Sequence, residues 1–305
     1  MCWSCWRKRR SALKPAPFDY LAPQDLEEAL AALRHNGLDA KILAGGQSLV
    51  PLLNLRLTRP KILVDLNGVS GLDHIRETSE GLRIGAMTRQ SGIERSAIVR
   101  EKCPLLAEAI RHIGHLAIRH RGTIGGSLVH ADPAAELPAV ALALDAKFEV
   151  LGDGMVRVVC ADEFFIDYLT TSLRPDEILG EIIVPVLQPS SGYAVEEVAR
   201  RHGDFAVAGV VAVVDLDGEG KIVGPRVALF GVAPTAVRAR AVEQALIGQQ
   251  PGDELIRDAA ALLCDMLDPP GDIRASSAYR KRAAAVLTVR ALTKAVQLCH
   301  TRRLS

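Results

Sequence analysis

The chain has 305 residues, enough for two domains with cores of their own. Apolar residues make up 49% and charged residues 24%, and a formal net charge of +1 excludes a nucleic-acid binder that works through a strong positive excess. The longest apolar stretch, Phe205 to Val214, is far shorter than the roughly 20 residues of a membrane-spanning helix, so the composition describes a globular protein.

Met1 to Arg10 is basic but has no apolar segment behind it, which excludes a secretory signal. Cys2 and Cys5 form a CxxC with no second pair to complete a four-cysteine zinc site. Residues 1–13 are expected to be a disordered or spurious extension. Phe18 to Pro23 is extended, and Gln24 to His35 has helical periodicity ended by Asn36-Gly37. Lys41 to Ala44 is a short buried strand, Ser48 to Leu53 one or two helical turns, and Lys61 to Leu66 a strand closed by Asn67-Gly68. Residues 14–60 therefore form a small α/β unit. Strands follow near Asp73 to Glu77 and Gly81 to Met87, then a helix from an N-cap at Thr88 to Ser96 and another over Cys103 to Ile113 with Pro104 in its first turn. Asp132 is read as an N-cap with Pro133 at N1 of a helix to Leu144. A hairpin crosses Gly152-Asp-Gly154, and Glu177 to Pro185 is a strand.

Composition shifts at Gln188 to Gly192, a domain boundary. Beyond it, strands are expected at Tyr193–Arg200, Ala206–Asp215 and Ile222–Val232, and helices at Thr235–Ile247, Asp253–Leu267 and Ser276–His300. This is a three-strand, three-helix α+β domain. Cys103, Cys160, Cys264 and Cys299 sit in apolar settings and read as buried thiols, which fits a reducing cytoplasm.

Two glycine pairs stand out: Ala44-Gly45-Gly46-Gln47-Ser48 after an apolar run, and Thr123-Ile124-Gly125-Gly126-Ser127 shortly before Asp132-Pro133. Both read as sharp loops of bare backbone, where glycine allows positive φ and close approach of N–H groups to a ligand. Successive N–H groups in such turns form an anion site, and the expected helix at Pro133 adds the positive end of a dipole. A dinucleotide diphosphate fits between them. One Gly-Gly pair alone is usually an ordinary turn. GxGxxG and GxxxxGK[ST] are both absent. His112, His115, His120 and His130 lack metalloprotease spacing, Ser48 and Ser127 lack a nucleophile elbow, and Asp215 and Asp217 read as turn residues. Arg200 and Arg201 suit either a salt bridge or a docking surface, and the basic residues Arg280, Lys281, Arg282, Arg290 and Lys294 read as a solvated helix face.

Residues Lys14 to Tyr20 followed by Ala44-Gly-Gly-Gln-Ser-Leu-Val-Pro-Leu-Leu-Asn-Leu-Arg-Leu57 resemble the FAD-binding medium subunit of the molybdenum hydroxylases, a family that includes carbon monoxide dehydrogenase medium subunits and the flavin domain of xanthine dehydrogenase. Arg121-Gly-Thr-Ile-Gly-Gly-Ser-Leu128 and Ala131-Asp-Pro-Ala-Ala-Glu-Leu-Pro138 match its second flavin motif, while Arg201 to Ala206 and Ala278 to Arg282 resemble signatures of its C-terminal domain. The likeness spans residues 14 to 298. It implies a two-part FAD-binding domain of the vanillyl-alcohol-oxidase and p-cresol-methylhydroxylase type over residues 14–187, divided near residue 60, and a C-terminal domain over residues 193–300. It places the diphosphate and neighbouring groups of FAD on Ile42, Leu43, Ala44, Gly45, Gly46, Gln47, Ser48 and Leu49, and on Thr123, Ile124, Gly125, Gly126 and Ser127. Glu136 falls where a carboxylate bonds a hydroxyl of FAD, and Ile113 and Leu179 where apolar side chains pack near the isoalloxazine.

The resemblance further implies a large molybdopterin subunit that oxidises substrate and a small subunit with two two-iron two-sulfur clusters. This chain would hold FAD and pass electrons to a quinone, NAD or oxygen, with no catalytic acid, base or nucleophile of its own. A self-sufficient FAD-dependent oxidoreductase is the alternative. A scaffold subunit that has lost its flavin is a third reading, opposed by two intact glycine motifs.

Overall fold

The computed structural model describes residues 14–304, so the expectations for residues 1–13 lie outside it. Strand β1 (Asp19–Leu21) is followed by α1 (Leu26–Asn36), β2 (Ala40–Leu43), α2 (Leu49–Asn54) and β3 (Ile62–Asp65). The strands form a parallel sheet in the order β1-β3-β2. Asp25 starts α1 by accepting the Glu28 N–H, Gly37 ends it at φ 51°, and Ala29, Leu30 and Leu33 bury its inner face with Val64 and Leu66. β2 is half-buried rather than buried, since its Lys41 faces solvent.

A second sheet takes β4 (Ile75–Thr78), β5 (Gly81–Gly85), β6 (Lys147–Leu151), β7 (Val156–Cys160) and β10 (Ile178–Val184), in the order β4-β5-β10-β6-β7, all antiparallel. Between β5 and β6 run α3 (Gln90–Arg95), α4 (Ala97–Lys102), α5 (Pro104–His112), α6 (Leu116–Arg121), α7 (Ile124–His130) and α8 (Glu136–Ala143). They bury the Leu82, Ile84, Phe148, Val150 and Ile182 face of the sheet. After β7 come α9 (Ala161–Phe164) and a small hairpin of β8 (Phe165–Asp167) with β9 (Thr170–Thr171).

Thr88 is not an N-cap: its hydroxyl donates to the His74 carbonyl, and the helix begins after Arg89. The six-residue helices α4 and α6 escape a periodicity search because they are too short to repeat a pattern. The second glycine pair is not a loop but the first turn of α7, with Thr123 as its cap. Asp132 caps a turn instead of a helix, accepting the Ala134 N–H on its side chain and the Ala135 N–H on its carbonyl, so Pro133 sits in that turn and α8 begins at Glu136.

The third sheet holds β11 (Gly192–Val198), β12 (Ala208–Leu216), β13 (Ile222–Phe230) and a two-residue edge strand β14 (Val237–Arg238), read from sequence as a helix start. Then come α10 (Arg240–Leu246), α11 (Asp253–Ala261), α12 (Leu263–Met266) and the long α13 (Ser277–Leu304), which lies across β11 and β12. Its buried stripe runs through Ala284, Leu287, Ala291, Leu292, Ala295, Val296 and Cys299, while Ala285 and Val289 are half-buried. Cys103 and Cys299 are buried, but Cys160 and Cys264 are exposed, because each falls on an outward position of its element. Among the described residues no helix is long and apolar enough to cross a membrane.

Arg280 does not belong to a solvated face. It is buried on α13, donating through Nη1 to the carbonyls of Val207 (2.6 Å) and Gly231 (2.7 Å) and through Nη2 to Asp272 (2.8 Å). Arg280→Met is expected to lower unfolding free energy by about 2–3 kcal/mol, since two buried carbonyls lose a charged donor. Denaturant titration checks this, and an unchanged midpoint contradicts it.

Candidate functional site

The two glycine segments meet. β2 delivers Ala44 to Ser48 to the end of α6, where an ideal Cβ on Gly45 would lie 2.4 Å from the Arg121 carbonyl oxygen and 2.8 Å from Gly122 Cα. Only glycine permits that approach. Gly46 has φ +74°, which turns the chain into α2. Among the described residues the N–H groups of Gly45, Gly46, Gln47 and Ser48 find no acceptor. They form an unpaired donor run at the edge of a cleft of about 310 Å³, lined by Leu43 to Gln47, Val50, Pro51, Asp65, Asn67 and Arg121.

The second segment is different in kind. The N–H groups of Ile124, Gly125 and Gly126 already donate to the Thr88 carbonyl (3.1 Å), the Ala86 carbonyl (2.8 Å) and Thr123 Oγ1 (3.0 Å). Gly125 lets α7 lie on Ala86, whose Cβ is 2.5 Å from where a Cβ on the glycine would stand, and Gly126 faces Ala44 Cβ at 3.4 Å on the same basis. The expectation of two bare loops is therefore half met: one segment offers donors, the other close approach. Ser48 and Ser127 make no side-chain capping bond.

A polar bridge ties the segments together. Asn67 Nδ2 donates to the Ala44 carbonyl (3.0 Å), Arg89 Nη2 to Asn67 Oδ1 (2.5 Å), and Arg89 Nη1 to the Arg121 carbonyl. Burial, then the like charge of Arg121, holds the Arg89 guanidinium below the usual arginine range. The Arg121 guanidinium is exposed at the cleft, makes no hydrogen bond or ion pair among the described residues, and lies near enough to Asp65 to feel its charge. Asn67, Arg89 and Arg121 were not singled out from sequence. Arg121 opens the second motif, but an exposed arginine at a helix end carries no sequence signal of its own.

Leu43, the last residue of β2, also lines the cleft, and the other expected residues lie off it. Ile42 belongs to β2 and Leu49 starts α2. Thr123 and Ile124 are buried at the start of α7. Leu179 is buried in β10, beside Gly180, whose carbonyl accepts the Ala86 N–H at 2.8 Å, and Ile113 is half-buried at the end of α5. The histidines do not converge: His112 Nδ1 faces Glu197 (3.3 Å), His120 faces Ser91 (3.1 Å), His115 packs near His202 and His130 lies 4.0 Å from Asp132. Asp217 accepts the N–H groups of Glu219 and Lys221, as a turn residue does, and Arg200 and Arg201 are exposed without an ion pair among the described residues.

Glu136 is 7% exposed at the start of α8, close enough to His112, Glu197 and Asp132 to feel their charges. Burial pushes its carboxyl up to about 7, with Glu197 and Asp132 adding to the rise and His112 opposing it. The folded chain thus holds a proton that the unfolded chain releases near pH 4.5, so this stabilisation is fully present below about pH 4.5 and is lost as the pH rises through about 7. The loss is on the order of 3 kcal/mol. In flavin-free chain, Glu136→Gln should flatten the decline of unfolding free energy over that range. Parallel pH curves for parent and variant contradict this.

A run of unpaired N–H groups, a free guanidinium and a cleft of this size suit a phosphate-bearing ligand. The comparisons with known proteins agree. The family model described as the FAD binding domain in molybdopterin dehydrogenase matches residues 16–187, and that of the CO dehydrogenase flavoprotein C-terminal domain matches residues 193–295. The chain is 42% identical over 284 residues to the 6-hydroxypseudooxynicotine dehydrogenase complex subunit alpha of Paenarthrobacter nicotinovorans, covering 93% of this chain and 96% of that one. It is 38% identical over 285 residues to the carbon monoxide dehydrogenase medium chain of Hydrogenophaga pseudoflava, covering 93% and 99%. A solved structure of carbon monoxide dehydrogenase from that organism superposes with a TM-score of 0.91 at 40% identity, over 93% of this chain and 99% of the other. Such a chain binds FAD, and the unpaired donors beside Gly46 suit the diphosphate of that group. The chain belongs to the FAD-binding medium subunits of the molybdenum hydroxylases.

Proposed function

We propose that this chain is the electron-transfer subunit of its complex, receiving electrons from iron–sulfur clusters of a small partner subunit and delivering them to an external acceptor such as a quinone, NAD or oxygen. A large molybdopterin subunit would oxidise the substrate. Relatives named as a complex subunit alpha and as medium chains support an assembly of this kind. The observation that carries the reading is the unpaired donor run Gly45 to Ser48 held in main-chain contact with Arg121-Gly122.

FAD, when bound, supplies the redox chemistry, and the protein supplies binding and orientation. The Ile42–Leu49 segment would hold the diphosphate through its free N–H groups. Thr123 to Ser127 would form the opposing wall rather than a second set of donors, because the N–H groups of Ile124 to Ser127 are spent within the fold. Glu136 would bond a hydroxyl of FAD, donating when protonated and accepting when ionised. Ile113 and Leu179 would pack near the isoalloxazine and exclude water. Residues 14–187 would make up the flavin-binding domain and residues 193–300 the C-terminal domain.

The chain, tagged and purified from cells that express its genetic neighbours, should bring with it proteins that carry molybdopterin and two-iron two-sulfur clusters. Cofactor fluorescence and electron paramagnetic resonance read the two. Removing FAD from that complex should abolish reduction of the external acceptor while substrate still reduces the clusters. A chain that purifies without such partners and turns over a substrate by itself contradicts the proposal.

A further inference from the structure

The cleft beside Gly45 is richer in positive charge and donors than the glycine pairs alone explain. Arg89, outside the lining, is committed to the fold: one terminal nitrogen donates to the Arg121 carbonyl and the other to Asn67 Oδ1. Asn67 passes the contact on to the Ala44 carbonyl. Asp65, the one carboxylate in the lining, already accepts from the Tyr20 hydroxyl and the Asn67 N–H. The Arg121 guanidinium makes no hydrogen bond or ion pair among the described residues and lies within reach of the charges of both Asp65 and Arg89. Next to it stand the unpaired N–H groups of Gly45 to Ser48. An open guanidinium and a run of unpaired N–H groups, beside a carboxylate already bonded to Tyr20 and Asn67, leave donors that a bound anion would satisfy.

We propose that Arg121 is the charge partner of the dinucleotide's diphosphate, and that Arg89, with Asn67, is the positioning residue that holds the Arg121 peptide against Gly45. The assignment presupposes the flavin function proposed above and adds residues outside both glycine pairs. Arg121 has the planar fork that pairs two oxygens of a phosphate at once. Arg89 acts through main chain: it bonds the carbonyl of the residue whose side chain meets the ligand. The recognised unit is then a nucleoside diphosphate, so ADP should bind the flavin-free chain in competition with FAD, and inorganic pyrophosphate should displace ADP.

The test titrates FAD, ADP and pyrophosphate into flavin-free full-length chain by calorimetry, for the parent, Arg121→Gln, Arg121→Lys and Arg89→Lys, with cooperative thermal unfolding as the check on folding. Arg121→Gln is expected to weaken FAD and ADP alike by about 10- to 100-fold, the scale of one charge-assisted contact. Arg121→Lys should recover part of that loss, because it keeps the charge without the fork. Salt should weaken ADP binding to the parent more steeply than to Arg121→Gln. Arg89→Lys should lower affinity while keeping the parent's salt slope, since it preserves charge but breaks the double contact. If Arg121→Gln fails to fold, Arg121→Lys and the parent's salt slope decide. Parent-like binding of both ligands by a folded Arg121→Gln overturns the assignment and leaves the flavin function standing, as does a parent that takes FAD but not ADP. A parent that takes neither overturns the flavin function and this assignment together.

Discussion

Gly45 touches the Arg121-Gly122 peptide main chain to main chain, and the geometry of the site follows from that contact. One partner leaves β2 of the parallel sheet, and the other ends α6, which packs on α3. No side chain fits between them, so the cradle exists only where residue 45 has no Cβ. The Asn67–Arg89 bridge fixes the same two segments from the side, joining the Ala44 carbonyl to the Arg121 carbonyl. With both contacts made, the free N–H groups of Gly45 to Ser48 are held in place before any ligand arrives, which reduces the ordering that binding must otherwise supply.

The C-terminal sheet buttresses this arrangement from behind. The Gly231 N–H donates to the Pro133 carbonyl at 2.6 Å, and Arg238 Nη1 donates to the Leu142 carbonyl at 2.8 Å, so α8 is gripped near both ends. Arg280 in turn holds the Gly231 carbonyl. Glu136 stands at the gripped end of α8, and Glu197 of β11 reaches toward it beside His112. Burying these groups together raises the Glu136 carboxyl, so the proton it holds belongs to the packed pair of units rather than to either alone. The relatives match across both units, in keeping with parts that support one another.

Much of this is legible in the sequence, and what is not has identifiable causes. The strands and the longer helices follow from apolar periodicity, and the Gly37 and Asn67-Gly68 stops from turn chemistry. Gly45 and Gly46 are visible as glycines, but what Gly45 touches lies some 76 positions further on, and no local pattern reports a long-range contact. The α7 helix is hidden because two consecutive glycines disfavour helix locally, and the packing of Gly125 on Ala86 overrides that preference. Asp132-Pro133 suits a turn as well as a helix start, and the preceding Ala131 in left-handed conformation decides for the turn. Arg121 and Arg280 are alike to the eye, two arginines near helix ends. Only the fold separates one open to a cleft from one buried on carbonyls.

A crystal structure of the flavin-loaded chain measures the central claim most directly, through the position of the diphosphate. Its oxygens should lie about 2.7–3.2 Å from N–H groups of the Gly46 to Ser48 segment, with Gly45 still seated on Arg121-Gly122. Density that puts the diphosphate away from this segment, leaving those N–H groups to solvent, would contradict the account.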